Sequence, residues 1–205
     1  MDFAHPLRVI APTLDGDVLT VLAGAKDEFS GRRLHGLVGH GSEAGIRKAA
    51  ERLVNQGIVL RSQAGQAKLY RLNRQHVCAE GIEQIAAARS NLLTRLRADF
   101  RTWQVQPRAA ALFGSAARGE ASPGSDIDVL VIRPAAVEED SATWRRQLNR
   151  LERSATAWTG NDARLVELGE GELPQARALL EEALGDGIEL AGSLSAIRHA
   201  LGGDE

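Results

Sequence analysis

The 205-residue chain has one cysteine, Cys78, which excludes an intrachain disulfide and fits a reducing compartment. Taken by itself that thiol reads as a small buried apolar residue. No run approaches the roughly 18 apolar residues that a membrane span requires, and Met1 to Ile10 has no sustained apolar core. A cytoplasmic protein without a membrane partner is therefore expected. Internal repeats, low-complexity tracts and zinc-ligand clusters are missing, and the five histidines are too scattered to suggest a metal site. His35 and His40 are expected in surface roles. There is little net charge, −2, but it is unevenly placed. Residues 1–75 hold 11 Lys+Arg against 7 Asp+Glu, whereas residues 107–205 hold 10 against 17. Any nucleic-acid contact should belong to the front of the chain. With 43% hydrophobic and 25% charged residues, the composition is that of an ordinary folded protein.

What is present falls into two patterned regions. In the first, a helix is expected over Gly16 to Ala23 behind Asp15 as N-cap, a second from Ser30, and a third from Ser42 to about Gln56, closed by Gly57. Gly39-His40-Gly41 separates the last two. Ile58 to Arg61 and Lys68 to Leu72 favour strand around the polar tip Ser62 to Gln66, which makes a hairpin. His76 to Trp103 reads as one long helix. Ile82, Ile85, Leu92, Leu96 and Trp103 fall near a heptad seam that could pair in a homodimer.

The second region centres on Ala109 to Ile132. An apolar strand ends in Gly114-Ser115, a short turn carries Arg118, the loop Ser122-Pro123-Gly124-Ser125 follows, and a strand opens with Asp126-Ile127-Asp128. Alternate residues of a strand share a face, so Asp126 and Asp128 point the same way. Two such carboxylates repel unless a cation lies between them, and hard divalent ions are held by carboxylates together with substrate phosphates. Gly114-Ser115 adds close backbone approach and the N–H groups of a starting helix. A helix over Glu138 to Trp158, a strand from Ala163 to Leu168, a helix over Glu172 to Leu184, an edge strand Ile188 to Leu190 and a last helix Ser193 to Leu201 complete the pattern. Trp144 and Trp158 are expected in the core.

The spacing of Gly114-Ser115, ten residues, then Asp126-Ile127-Asp128 resembles the signature of minimal nucleotidyltransferases of the DNA polymerase β superfamily. The resemblance implies a domain that binds a nucleoside triphosphate with Mg²⁺ or Mn²⁺ and transfers a nucleoside monophosphate. Asp126 and Asp128 would hold the metal, and Gly114, Ser115, Arg118 and Ser125 would hold the nucleotide. It also implies a third carboxylate on the strand Ala163 to Leu168. The position that aligns holds Arg164, and Glu167 fills the catalytic role if the register differs. Relatives of this kind modify proteins or small molecules, some as antitoxins beside a toxin partner, so a protein acceptor is one expectation.

Residues 15–75 resemble a winged helix-turn-helix of bacterial transcription regulators. That implies binding of double-stranded DNA, with Arg47, Lys48 and Arg52 on the third helix and Arg61, Gln63, Gln66 and Lys68 on the wing. The expected fold class is α+β: a winged helix-turn-helix over 1–75, a linker helix over 76–106, and over 107–205 a nucleotidyltransferase domain with a small mixed sheet flanked by helices. Two other functions compete with a DNA-binding enzyme. One is a transcription regulator whose degenerate nucleotidyltransferase-like domain only senses nucleotide. The other is an adaptor that touches neither DNA nor nucleotide.

Overall fold

The computed structural model describes residues 1–197. It divides into two compact units, one of residues 4–88 with Asp2, the other beginning at Arg89 and including Met1 and Phe3.

In the N-terminal unit a short 3-10 turn, Pro6–Val9, precedes α1 (Leu14–Ala23), β1 (Phe29–Ser30), α2 (Gly31–Val38), α3 (Glu43–Asn55), β2 (Val59–Ala64), β3 (Ala67–Leu72) and α4 (Ala79–Ala86). The cap residues explain where α2 and α3 start. Ser30 Oγ accepts the Arg33 N–H at 3.2 Å and Ser42 Oγ accepts the Gly45 N–H at 3.0 Å. The first helix starts earlier than its sequence suggests, with Thr13 as N-cap, so Asp15 lies in its first turn. There the carboxylate suits the positive end of the helix and binds Arg52. The three strands form an antiparallel sheet in the order β1-β3-β2, and the β2/β3 hairpin turns at Gly65, whose φ is +58°. Leu22, Leu34, Ile46, Tyr70 and Leu72 meet in its core.

The long helix expected over His76 to Trp103 is two helices, α4 and α5 (Ala88–Arg101), separated by Ala87. Ala87 leaves helical geometry with φ −82° and ψ 14°, its N–H still bonded to the Glu83 carbonyl. The expected dimer seam is used inside the chain. Ile82, Ile85 and Ala86 pack on the N-terminal core, whereas Leu92, Leu96, Phe100 and Trp103 are buried. Cys78 is exposed, against expectation, because it sits in the turn before α4.

The C-terminal unit holds α5, β4 (Ala109–Phe113), α6 (Gly114–Arg118), β5 (Ile127–Arg133), α7 (Ala142–Thr159), β6 (Ala163–Gly169), α8 (Arg177–Gly185) and β7 (Ile188–Gly192). Its four-stranded sheet runs β6-β5-β4-β7, with β5 parallel to β6 and the other pairs antiparallel. The apolar runs Ala109–Phe113 and Val129–Ile132 are buried throughout, as strands in the middle of a covered sheet should be. Leu173, Leu180, Ala183 and Leu184 cover one face. From α7, Trp144, Leu148, Leu151 and Ala155 are buried. Trp144 meets Trp103 edge-on, with ring centroids 5.5 Å apart. Trp158 is only half-buried, with the Arg95 guanidinium 5.8 Å from its ring centroid. Both flanking helices start later than expected, α7 after Ser141 and α8 after a 3-10 turn at Glu170–Glu172. Residues 194–197 are helical, and the rest of the closing helix expected to Leu201 lies outside the described residues.

Candidate functional site

Strand β4 delivers the chain to Gly114, and β5 pairs so that Phe113 lies opposite Asp128. Gly114 is required twice over. Its φ is +68°, and a Cβ there would lie 3.0 Å from Asp128 Oδ2. Asp126 immediately precedes β5 and Asp128 is its second residue, so the two carboxylates stand one pleat apart on one face.

The loop that presents them is braced from behind. Ser125 Oγ accepts the Ser122 N–H at 3.0 Å, and the two hydroxyls are 3.1 Å apart. Asn161, itself buried, donates from Nδ2 to the carbonyls of Ser122 at 2.8 Å and Ser125 at 2.7 Å. Ser125 therefore shapes the loop. Asn161 is a positioning residue that sequence reasoning passed over as part of the turn after α7. Its only sequence signal is an amide side chain directly behind Gly160, the left-handed residue that ends that helix.

The register of β6 settles which of two residues reaches the aspartates. Asp128 pairs with Arg164 and Val131 with Glu167. Arg164 Nη1 lies 2.9 Å from Asp126 Oδ2. Glu167, three residues further on, faces the other side of the sheet and does not complete the pair of aspartates. It is engaged there by Arg133 Nε at 2.8 Å, Trp144 Nε1 at 2.7 Å and Arg145 Nη1 at 3.0 Å. Glu167 is thus placed away from the aspartates, in a cluster with Arg133, Trp144 and Arg145.

Burial, followed by the charge of Asp126, holds the Asp128 carboxyl above the usual aspartate range. Arg164 opposes that shift and Glu182 adds to it, which identifies both as neighbours in charge. Among the described residues no hydrogen bond or ion pair is made to the Asp128 carboxylate. Ser115, half-buried, follows Gly114 in α6. Arg118 ends that helix with Nε 2.9 Å from Glu120 and Nη1 3.9 Å from Asp186. Its guanidinium is held above its ordinary pKa chiefly by the bond to Glu120. The donor set suits a hard divalent cation: two carboxylates sharing a face, one of them unpaired and disfavoured as an isolated anion, beside a glycine that leaves the approach open.

In the N-terminal unit α3 and β3 line a cavity of about 780 Å³ that includes Arg47, Lys48, Arg52 and Lys68. Most of these cations already have acidic partners. Arg47 is 3.8 Å from Glu43, Arg52 is 2.7 Å from Asp15, and Arg61 and Lys68 share Glu51 at 2.8 and 3.0 Å. Gln63 donates to the Gly65 carbonyl at 2.9 Å. Tyr70 also donates to Glu51, at 2.9 Å, and burial first, then that carboxylate, pushes its phenol up to about 12.

Two of the scattered histidines do converge. His5 Nδ1 and His40 Nε2 lie 3.2 and 3.1 Å from the two oxygens of Asp17, which is 2% exposed. Arg8 joins the cluster, with Nε and Nη2 bonding Asp17 at 2.8 and 3.0 Å and Nη2 approaching His40 Nε2 at 2.6 Å. The cluster is an ion pair.

No helix among the described residues is long and apolar enough to cross a membrane. Residues 91–187 match the family model of the nucleotidyltransferase domain. Among solved structures, a toxin–antitoxin with AMP-PNP is similar at 23% identity and a TM-score of 0.36, over 54% of this chain and 79% of that one. A variant of the toxin–antitoxin MntA-HpeT with two Asp→Glu changes is similar at 19% identity and a TM-score of 0.40, over 53% and 80%. No curated protein matches.

Proposed function

We propose that the C-terminal unit binds a nucleoside triphosphate with a divalent cation, Mg²⁺ or Mn²⁺, and transfers a nucleoside monophosphate to an acceptor. The single observation that carries this reading is the pair Asp126 and Asp128 one pleat apart, with Asp128 against Gly114, within the stretch matched by the nucleotidyltransferase family. Asp126 and Asp128 would hold the cation, which when bound neutralises triphosphate charge and favours departure of pyrophosphate. Gly114 and Ser115 offer backbone approach for phosphate. Arg118, exposed at the end of α6, can exchange Glu120 for a phosphate oxygen, a stronger acceptor when doubly charged. Positioning and electrostatics carry most of such a reaction, so the chain need supply little covalent chemistry.

The acceptor is proposed to be a protein, by analogy with the toxin–antitoxin pairs named above. The N-terminal unit is proposed to act as a winged helix-turn-helix on double-stranded DNA. Support comes from the helices α1 to α3 followed by the β2/β3 hairpin, and from Arg47, Lys48 and Arg52 together on α3. The acidic partners of these cations would have to be displaced by phosphate, so binding should be weak and should fall steeply with salt.

One observation favours a second reading. The ion pair between Arg164 and Asp126 can leave a site that binds nucleotide without turning it over, making the chain a nucleotide-sensing regulator. The deciding experiment incubates the full chain with radiolabelled NTPs and Mg²⁺, alone and with lysate from its source, beside Asp126→Ala/Asp128→Ala. Label transferred by the wild type and lost in the double variant is expected. Nucleotide binding without transfer replaces the enzyme with the sensor, and absence of both rejects the site.

A further inference from the structure

We infer that Arg164 occupies the position of a second metal ion, so that this site works with a single divalent cation beside a fixed guanidinium. The inference rests on the nucleotidyltransferase reading and adds the stoichiometry and the residue that sets it.

The register carries the first step. Arg164 is the direct cross-strand partner of Asp128, and directly paired residues project from the same face of a sheet. Its guanidinium crosses to Asp126, at 2.9 Å, and leaves Asp128 free of any ion pair among the described residues. One carboxylate is already satisfied and the other is not. A cation is therefore wanted on the Asp128 side of the pair, between the two carboxylates and away from the guanidinium.

Charge gives the second step. Asp126, Asp128 and Arg164 sum to one negative charge. With Glu182, which also acts on Asp128, the total is two negative charges, and one divalent cation neutralises it before a polyphosphate enters. A second would have to settle beside a guanidinium with only two carboxylates to share, and like charges a few ångströms apart repel even at a partly solvated site. Divalent ions of this kind seek oxygen ligands, and Arg164 offers only N–H donors. These donors are available to an anion, because the side chain is 67% exposed and can keep one nitrogen on Asp126 while offering others to phosphate.

The test counts ions without requiring turnover. Full-length protein is titrated with Mn²⁺ in the presence of a non-hydrolysable NTP analogue, with bound Mn²⁺ read by electron paramagnetic resonance. Wild type and Arg164→Lys are expected to bind a single Mn²⁺ per chain. Arg164→Asp, which adds a carboxylate where the cation was, is expected to gain a second. Arg164→Gln is neutral and of similar reach, and it should lose analogue affinity without gaining a tightly held ion. Circular dichroism melts check that each variant is folded. Two ions in the wild type overturn the inference while leaving the nucleotidyltransferase reading in place. An unchanged count in folded Arg164→Asp overturns it as well. Mn²⁺ and analogue binding that survives in Asp126→Ala/Asp128→Ala, or that is absent from the wild type, overturns the reading on which it rests.

Discussion

Asp17 in the N-terminal unit and Asp126 in the C-terminal unit each carry a guanidinium, Arg8 Nε at 2.8 Å and Arg164 Nη1 at 2.9 Å. At Asp17 the carboxylate oxygens are already taken, although Arg8 and His40 stay 35% and 40% exposed. The carboxylate is almost wholly buried, both oxygens are bonded, and two imidazoles complete its surroundings. Around Asp126 the cation is mostly in solvent, and a second carboxylate stands beside it unpaired. The first arrangement has more metal-ligating atoms within reach, yet only the second leaves a carboxylate without a partner among the described residues. Ligand-type residues in proximity do not make a site. What matters is whether the protein's own groups already satisfy them.

Removing Asp17 should have the largest effect on stability. Asp17→Ala takes the buried carboxylate from Arg8, which among the described residues keeps only Asp2, at 4.0 Å, as an acidic partner, and losing the charged hydrogen bonds costs about 2–3 kcal/mol. Urea unfolding followed by circular dichroism measures the loss. Mn²⁺ and nucleotide binding in the folded protein should stay as in the wild type. If binding falls while stability holds, the Asp17 cluster is a functional site and the contrast is wrong.

Glu167 tests the same contrast within the C-terminal unit. It looks catalytic by residue type, but its two oxygens already accept from Arg133, Trp144 and Arg145. Glu167→Gln keeps the shape and removes the charge, which should cost about 1–3 kcal/mol. The expected outcome is a lower unfolding midpoint with Mn²⁺ affinity unchanged. A loss of Mn²⁺ affinity in a folded variant would return Glu167 to the site.

These two examples also mark what could be read from the sequence. Gly114-Ser115 and Asp126-Ile127-Asp128 were legible because their geometry is local: a turn, a pleat, and a fixed number of residues between them. The capping serines of α2 and α3 and the β2/β3 hairpin were legible for the same reason. The choice between Arg164 and Glu167 depended on how β6 registers on β5, a non-local pairing that no residue of β6 announces. The break at Ala87 left no glycine or proline to mark it. The meeting of His5, Asp17 and His40 brings three separate segments together, and spacing along the chain carries no trace of it.

Acid should separate the two units by a smaller margin, and in opposite directions. In the N-terminal unit Asp15 and Glu51 are held below their ordinary values, chiefly by hydrogen bonds from Arg52 and Lys68 respectively. A depressed carboxyl contributes stability that is complete above its unfolded value, about 4, and is lost as pH falls through the folded one. Asp128 in the C-terminal unit is raised instead, so its ionised form costs stability, and that cost is relieved as protonation proceeds on the way down. Both N-terminal pairs face solvent, so the effect should be modest. The chromophores make it measurable. The three tryptophans, Trp103, Trp144 and Trp158, lie in the C-terminal unit, and the single tyrosine, Tyr70, lies in the N-terminal one. In titration from about pH 6 to about pH 3, the Tyr70 near-ultraviolet signal should change before tryptophan fluorescence does. If tryptophan fluorescence changes first, the C-terminal unit is the acid-labile one. The contrast of Asp15 and Glu51 with Asp128 would then be wrong, because protonating Asp128 relieves a cost and cannot itself make that unit acid-labile.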